Sequence, residues 1–457
     1  MFVKLLKWLA GLLVLAVIGL IGWLVVSPPA LIRVATGYTA KTVCSNVFIA
    51  GRDPDEVLRV DVQAPGHWLL KYISLDVDRN AKTVGASLLG QFGESLTQAR
   101  GGLGCTKLTG DERYRLAAVS LPAMTPPPSD AMWPDGGRVQ PSQDPAIAKI
   151  LDDPAMTGPG MRAVVVVHNG RILAERYGEG FSAETPLLGW SMTKTVNAAI
   201  VGTLVKAGSM SLDQSELRPE WKADGRAKIT LADLLAMSSG LEFNEDYGDV
   251  TDVTRMLFLT PDMAAFTAAK PLTGEIGKVW NYSSGTATLI SRLWQDALGG
   301  GAEALAWPSR KLFQPLGMSS AVLETDETGT FVGSSFMYAT ARDWARFGQF
   351  LLQVGVWNGN ELLPSGFVDM MREAAPASNG AYTKGQAWIA GPGDEASPGA
   401  GAADGAPADT WWLEGHDGQT VAIAPSRRLV VVRLGLTPSR LGYRPQKLLG
   451  ALANTLP

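Results

Sequence analysis

The chain has 457 residues, of which 46% are hydrophobic and 18% are charged, and its formal net charge at pH 7 is −4. This slightly acidic balance gives no support to a nucleic-acid-binding protein, which neutralises phosphates with an excess of basic residues. Two cysteines and three scattered histidines match no metal-ligand spacing. The sequence therefore predicts no nucleic-acid partner, no metal and no cofactor, and it gives no indication of oligomeric state.

An uncharged apolar stretch runs from Trp8 to Val26, preceded by Lys4 and Lys7. A helix of this length, at about 1.5 Å per residue, approaches the roughly 30 Å of hydrocarbon in a bilayer. The preceding lysines predict that the amino terminus stays in the cytoplasm. We therefore expect residues 1–27 to form a single-pass signal anchor in the inner (cytoplasmic) membrane, with the rest periplasmic or otherwise extracytoplasmic. A cleaved signal peptide is the alternative, although Ser-Pro-Pro-Ala after Val26 is a poor cleavage site.

Both cysteines, Cys44 and Cys105, fall on the exported side of this topology. An oxidising compartment favours their pairing, and closing a loop of this size stabilises a fold by roughly a few kcal/mol. We therefore predict a structural disulfide within residues 28–120. The segments 68–78 and 82–89 of this accessory region have the pattern of a β-hairpin, so the region is expected to be rich in strands.

Residues 121–140 are rich in proline and predict a linker. The remaining residues, 141–457, are enough for one large α/β domain with a sizeable core. Near its start, the runs 162–168 and 171–176 flank an Asn-Gly pair, which is a strong signal for a β-hairpin.

The run 189–194, Gly-Trp-Ser-Met-Thr-Lys, lies where an extended segment gives way to a helix. Residues i and i+3 share one face of a helix, so Ser191 and Lys194 can meet. If burial lowers the pKa of the lysine, its neutral amine can take the serine proton and make the hydroxyl nucleophilic. Unpaired N–H groups at the helix start favour the negative charge that develops in acyl transfer. The plainer interpretation is an N-capping serine beside a solvated lysine.

Two later segments supply further candidates. Tyr282 lies in the turn-like run Trp-Asn-Tyr-Ser-Ser-Gly at 280–285, and a phenol near a serine and a lysine can relay a proton to a leaving group. Taken alone, a tyrosine that caps a core patch explains it equally well. The segment 411–419, Trp-Trp-Leu-Glu-Gly-His-Asp-Gly-Gln, is followed by the apolar positions 421 and 423 and the run 429–434, which have the pattern of paired strands. Glycine at a strand edge allows a substrate to approach the backbone closely.

Taken together, the order Ser-x-x-Lys, Tyr-x-Ser and His-x-Gly resembles the serine β-lactamase and penicillin-binding superfamily. The pattern is most similar to its class C-like branch, which contains esterases, D-alanyl peptidases and 6-aminohexanoate-oligomer hydrolases. Further runs typical of this branch are Leu-Leu-Ala-Met-Ser-Ser-Gly-Leu at 234–241, Phe-Gln-Pro-Leu-Gly-Met at 313–318 and Ala-Thr-Ala-Arg-Asp-Trp-Ala-Arg-Phe-Gly at 339–348. The resemblance extends from residue 141 to the carboxyl end and implies an α/β (α+β) fold with an antiparallel sheet flanked by helices.

The resemblance also implies roles for individual residues. Ser191 would be acylated, Lys194 would act as the base or keep the site positive, and Tyr282 would shuttle the proton. The backbone N–H groups of Ser191 and Gln419 would hold the oxyanion of the substrate. No cofactor or metal is implied.

The sequence departs from the β-lactamase pattern at two places. Ser284 replaces the asparagine of Tyr-x-Asn, so an amide that would bind a substrate carbonyl is missing. His416-Asp417-Gly418 replaces Lys-Thr-Gly, and a histidine with an ordinary pKa near 6.5 is mostly neutral at pH 7. We expect Ser284, His416 and Gly418 to line the substrate site, but both changes favour an esterase or linear-amide hydrolase over a β-lactamase.

The sequence thus predicts a membrane-anchored serine hydrolase that cleaves a small carboxylic ester or linear amide through an acyl-enzyme. A β-lactamase or D-alanyl peptidase is one alternative, and a non-catalytic, penicillin-sensor-like protein that binds peptidoglycan peptides is another. An α/β-hydrolase using Ser191 and His416 would fit the order of its triad. However, the nucleophile motif of α/β-hydrolases, Gly-x-Ser-x-Gly, requires glycine at the position of Thr193. That interpretation also leaves Lys194 without a role.

Overall fold

A computed structural model describes residues 2–109, 121–397 and 400–456. The chain forms two compact units. As far as it is described, the amino-terminal unit is made of residues 1–100, 105–117 and 246–261, and the large unit of residues 101–104, 118–245 and 262–457. The predicted boundary at residue 140 therefore falls inside the large unit, and one segment from the middle of the predicted large domain belongs to the amino-terminal unit.

Helices and strands are numbered in chain order. The helices are α1 (Phe2–Val26), α2 (Ala30–Phe48), α3 (Pro54–Val57), α4 (Pro145–Leu151), α5 (Pro154–Thr157), α6 (Thr193–Lys206), α7 (Leu231–Leu235), α8 (Asp252–Leu259), α9 (Met263–Ala268), α10 (Ser284–Ala297), α11 (Gly301–Pro308), α12 (Gln314–Leu316), α13 (Ala341–Leu352), α14 (Phe367–Arg372) and α15 (Pro445–Thr455). The strands are β1 (Ile73–Asp78), β2 (Thr83–Leu88), β3 (Phe92–Arg100), β4 (Gly104–Leu108), β5 (Met161–His168), β6 (Arg171–Tyr177), β7 (Leu187–Leu188), β8 (Val322–Leu323), β9 (Met337–Ala339), β10 (Val356–Trp357), β11 (Asn360–Glu361), β12 (Trp411–Gly415), β13 (Gln419–Ala424) and β14 (Leu429–Gly435).

Helix α1 is exposed and contains a stretch, Lys4–Val26, that is long and apolar enough to cross a membrane. A membrane anchor and a signal peptide both have this pattern at an amino terminus. The stretch agrees in position with the one expected from the sequence.

The amino-terminal unit packs helix α2 on an antiparallel sheet in the order β1-β2-β3-β4. The predicted hairpin is confirmed by the pairing of β1 with β2, although residues 68–72 form a 3-10 helix instead of the start of the first strand. Helix α2, which the sequence did not predict, is buried along most of its length. Residues 246–261 join this unit because α8 packs on α2, with the rings of Tyr38 and Phe258 5.8 Å apart.

The predicted disulfide is present: Cys44 on α2 is bonded to Cys105 on β4 across 61 residues of chain. Replacing both cysteines with alanine is expected to lower the free energy of unfolding of this unit by about 4 kcal/mol, the chain-entropy value for such a loop. Thermal melting of the detergent-solubilised full chain measures the loss. A thiol reductant should reproduce the loss in the wild type and have no effect on the variant, whereas an unchanged melting temperature would contradict the stabilising role.

The large unit is built on a five-stranded antiparallel sheet in the order β12-β13-β14-β5-β6. The valine-rich strand β5 lies inside it, and successive side chains of a strand point to opposite faces. Val164 and Val166 pack with apolar residues of α4 and α15, and Val165 and Val167 pack in the main core with those of α6 and α13. Helices therefore cover both faces of the sheet, which confirms the predicted fold class.

The proline-rich segment 121–140 packs on the large unit instead of running free as a linker. Trp133 is 1% exposed. Arg346 of α13 donates to the main-chain oxygens of Pro134 and Gly136 at 3.0 and 2.7 Å. Backbone groups without a regular partner are thus satisfied by an arginine of the core.

Candidate active site

Ser191 lies in a single 3-10 turn, Trp190–Met192, between β7 and α6. Together with Gly189 we call this segment the nucleophile turn. The residue before Ser191, Trp190, has a φ of +49°, a left-handed conformation that non-glycine residues rarely adopt. Gly189 packs against the indole of Trp344, so closely that a Cβ atom at this position would lie 2.2 Å from the ring. Backbone strain of this kind collects at functional sites, where the surrounding packing enforces it. The packing of Gly189 on Trp344 thus fixes the backbone on which Ser191 lies, directly before the first residue of α6.

Lys194 lies one helical turn further on and is fully buried. Its Nζ atom donates to Ser191 Oγ at 3.0 Å, to Ser284 Oγ at 3.0 Å and to the main-chain oxygen of Ser334 at 3.1 Å. An ammonium group uses all three N–H bonds on these acceptors. A neutral amine retains two N–H bonds for Ser284 and Ser334, which leaves its lone pair for the Ser191 hydroxyl. The structure therefore brings together the serine and the lysine that the spacing predicted to meet.

Burial lowers the pKa of Lys194 to about 8, and the carboxylate of Glu245 opposes this shift. Desolvation disfavours the charged amine because the interior solvates an ammonium less well than water does. At pH 7 about one tenth of the molecules therefore carry the neutral amine, against about one in 3,000 for a lysine with the ordinary value. The solvated-lysine interpretation is thus wrong.

Glu245 completes the surroundings of the lysine, and sequence reasoning missed it. Its carboxylate accepts a hydrogen bond from the main-chain N–H of Ser284 at 2.8 Å and another from the Ser284 hydroxyl. A carboxylate is favoured here because Ser284 opens helix α10. The hydroxyl that donates to Glu245 keeps its lone pairs for Lys194. Hydrogen bonds therefore connect Glu245, Ser284, Lys194 and Ser191 in one chain.

The face of the Tyr282 ring packs against Lys194, with 4.6 Å between the ring centroid and Lys194 Nζ. The negative face of an aromatic ring favours the ammonium form of the lysine. The ring belongs to an aromatic cluster with Trp280, Tyr382 and Trp388, at centroid separations of 5.3 to 6.3 Å from Tyr282. The structure thus places Tyr282 at the site, and its role as a proton shuttle stays a prediction.

The end of β12 borders the nucleophile turn. A Cβ atom on Gly415 would lie 2.1 Å from the main-chain oxygen of Gly189. The ring of the next residue, His416, packs edge-on against Trp190 with 5.7 Å between centroids. Glycine is therefore required where this strand meets the turn, since any side chain would collide with it.

Gln419 and Gly418 occupy other parts of the same hairpin. The buried amide of Gln419 donates to the main-chain oxygens of His416 and Gly435 at 3.0 and 2.5 Å, and accepts from the N–H of Gly435 at 2.9 Å. The oxygen of Gly418 accepts a hydrogen bond from Arg433 at 3.0 Å. The Gln419 side chain thus links the β12–β13 turn to the end of β14. Gly415, at the end of β12, and His416 after it contact the nucleophile turn.

The antiparallel sheet also bears on the alternatives. An α/β-hydrolase is built on a mostly parallel sheet with alternating strands and helices. Here all four pairs of neighbouring strands in the five-stranded sheet are antiparallel. The hydroxyl of Ser191 is hydrogen-bonded to Lys194. The α/β-hydrolase alternative is therefore wrong.

Comparison with known proteins agrees with this geometry. A family model described as Beta-lactamase matches residues 151–446. The 6-aminohexanoate-dimer hydrolase of Paenarthrobacter ureafaciens is 25% identical over 301 residues, which are 60% of this chain and 72% of that protein. A solved structure from Bacillus anthracis, provisionally given the same name, is 25% identical with a TM-score of 0.55, over 65% of this chain and 81% of that one.

A more distant solved structure shows the same fold. A penicillin-binding protein homologue from Caulobacter crescentus is 16% identical, with a TM-score of 0.50, over 70% of this chain and 99% of that one. The family model alone spans well over half of the chain and includes the whole Ser191 site. The chain therefore belongs to the Beta-lactamase family and is a serine hydrolase.

Proposed function

We propose that the protein is a membrane-anchored, extracytoplasmic hydrolase that cleaves a small carboxylic ester or linear amide through an acyl-enzyme on Ser191. The observation that carries the proposal is the 3.0 Å contact between Ser191 Oγ and the buried amine of Lys194. A serine needs a base within hydrogen-bond reach to become a nucleophile. A lysine can be that base only where burial has lowered its pKa, as it has here.

The proposed reaction follows from these groups. The neutral amine of Lys194 takes the Ser191 proton while Oγ attacks the carbonyl carbon of the substrate. The bond to the leaving group then breaks, and the proton passes from Lys194, with Tyr282 as the proposed shuttle, to the departing oxygen or nitrogen. In the second half, the neutral amine of Lys194 takes a proton from water as the water oxygen attacks the acyl carbon. The bond between that carbon and Ser191 Oγ then breaks, Oγ takes the proton from Lys194, and the acid is released.

The oxyanion that forms on the carbonyl needs two preorganised N–H donors. We assign the first to Ser191, at the start of the helix. For the second we favour the N–H of His416 over that of Gln419, because the close approach of Gly415 to Gly189 brings the following peptide group to the nucleophile turn. His416 remains a proposed lining residue of the substrate site, whereas Ser284 is fully buried and acts on the site through its hydrogen bond with Lys194.

The substrate class rests on the departures from the β-lactamase motifs and on the relatives. The relative from Paenarthrobacter ureafaciens is named for hydrolysis of 6-aminohexanoate dimer, a linear amide. His416 takes the place of the motif lysine, whose fixed positive charge would anchor a β-lactam carboxylate. Its Nε2 atom lies 3.5 Å from the carboxylate of Asp417. We therefore place linear esters and amides ahead of β-lactams.

A panel of three substrates tests this ranking on the detergent-solubilised full chain. It comprises a p-nitrophenyl ester of a short acid, the linear dimer of 6-aminohexanoate and the chromogenic β-lactam nitrocefin. The expected result is turnover of the ester or the linear amide that Ser191→Ala abolishes, with slower turnover of nitrocefin. Faster turnover of nitrocefin would favour the β-lactamase alternative. Stoichiometric acylation by nitrocefin with no turnover of any substrate would favour a penicillin sensor.

Replacing Glu245 with glutamine is expected to move the acid limb of the pH–rate profile to lower pH. Its carboxylate raises the pKa of Lys194, so removal of the charge lowers that pKa further. The neutral amine is the active form and is lost as pH falls through the pKa. The midpoint of kcat/KM against pH therefore starts near 8 in the wild type and falls in the variant. Glu242→Gln, an exposed carboxylate of the same loop, should leave it unchanged. A midpoint that stays or rises in Glu245→Gln would contradict the coupling.

A further inference from the structure

Three large apolar side chains are exposed together on the amino-terminal unit. Trp68, Tyr72 and Leu89 are 63%, 53% and 62% exposed. The rings of Trp68 and Tyr72 lie 6.3 Å apart, edge to face, and the N–H of Leu89 donates to the main-chain oxygen of Tyr72 at 2.9 Å. We call these three residues the aromatic patch. Single exposed apolar residues are ordinary, but contiguous ones mark an interaction surface.

The position of the patch in the sheet follows from the strand register. Tyr72 immediately precedes β1, whose first residue, Ile73, pairs with Leu88 at the end of β2. Leu88 in turn pairs with Phe92 at the start of β3. The patch therefore lies at the end of the sheet where β1 and β3 begin and β2 ends.

Helix α1 leads into the same end of the sheet. A Cβ atom on Gly93, the second residue of β3, would lie 2.7 Å from a methyl group of Ile32 and 3.5 Å from Pro28, two residues after α1. The hydroxyl of Thr36 donates to the oxygen of Gly93 at 2.6 Å, which holds α2 along β3. Leu24, within α1, also packs against the core of this unit. The chain thus leaves the candidate membrane span beside the aromatic patch.

We propose that the aromatic patch lies in the interfacial layer of the bilayer into which α1 inserts, so that the amino-terminal unit rests on the membrane surface. The proposal builds on the membrane anchor of the proposed function. Tryptophan and tyrosine favour this layer because each combines an apolar ring with a polar group. Leucine adds apolar area that can enter the acyl boundary.

Exposed charges of both signs lie at this end of the sheet, and Glu94 of β3 is the acidic one. Lys71 lies between the two aromatic residues in sequence, and Arg33 lies in the first turn of α2; both are exposed. The charges near the patch are thus of both signs, and the exposed apolar side chains carry the proposal.

Site-directed fluorescence on the full chain in lipid nanodiscs tests the proposal. Both native cysteines are in the disulfide, so a single added cysteine can carry an environment-sensitive nitrobenzoxadiazole label. Leu89→Cys reports on the patch, with Tyr72→Cys as a second variant in case the first does not fold. Asn80→Cys, in the turn after β1 at the opposite end of the sheet, is the matched control. Gly19→Cys, where a side chain meets nothing within 4 Å, reports on α1.

Lipids with a nitroxide near the headgroup quench the labels at residues 89, 72 and 80, and lipids with a nitroxide on the acyl chain quench the label at residue 19, which lies inside the candidate span. The expected result is a several-fold stronger quenching of the label at residue 89 or 72 than at residue 80. Quenching at residue 19 but at neither patch position would overturn the proposal while leaving the anchor intact. Failure of the intact chain to enter nanodiscs, with residue 19 unquenched, would overturn the proposed anchor and this inference with it.

Discussion

Ser191→Ala is expected to lower kcat for ester hydrolysis by about 10³- to 10⁶-fold, the range for loss of a nucleophile that acts as one unit with its base. The alanine variant keeps the helix start and its N–H groups, but it has no oxygen to form the acyl-enzyme. The residual rate is the one that substrate binding and oxyanion stabilisation provide without covalent chemistry. Steady-state hydrolysis of a p-nitrophenyl ester measures it.

Ser209→Ala is the matched control for this variant. Ser209 is exposed and follows the other end of the same helix, so its loss should leave kcat within about twofold, since exposed positions away from a site have small effects. A Ser191→Ala protein that folds and retains more than about a tenth of the wild-type kcat would be incompatible with an acyl-enzyme on Ser191.

Lys194→Met is expected to lower kcat/KM by about 10²- to 10⁴-fold, the range for loss of general-base catalysis. Methionine fills the buried volume without a proton acceptor. The acid limb near pH 8 should disappear with the lysine, because the group that titrates there is gone. The profile of kcat/KM between pH 5 and pH 9 therefore gives a signature that a packing defect alone would not produce.

Lys206→Met provides the control on the same helix. Lys206 is exposed in the last turn of α6, where it bonds to Glu361, and its loss should leave both the rate and the acid limb unchanged. Circular dichroism establishes that each variant is folded. A folded Lys194→Met protein with an intact acid limb would show that another group is the base.

Local chemistry made part of the fold predictable. The meeting of Ser191 and Lys194 follows from the i, i+3 geometry of a helix start. The Asn-Gly pair at 169–170 is indeed the turn between β5 and β6. The disulfide followed from two cysteines on the exported side of one predicted span. Each of these inferences needed only residues close in sequence or a simple count.

Long-range packing decided what the sequence could not show. Helix α2 carries several β-branched residues that favour strands, and burial against the sheet outweighs that preference. Glu245 is 39 residues before Ser284, in an ordinary acidic loop, and only the fold brings the carboxylate to α10. The motif at 416–418 suggested the strand that borders Ser191, but the turn falls on those residues and the strand ends at Gly415.

Intact mass spectrometry of the full chain after exposure to a fluorophosphonate probe, followed by peptide mapping, tests most directly whether Ser191 is the nucleophile. We expect one adduct per molecule in the wild type, located on Ser191, absent in Ser191→Ala and strongly reduced in Lys194→Met. An adduct that persists in Ser191→Ala, or that maps to another residue of the wild type, would contradict the assignment of Ser191 as the nucleophile.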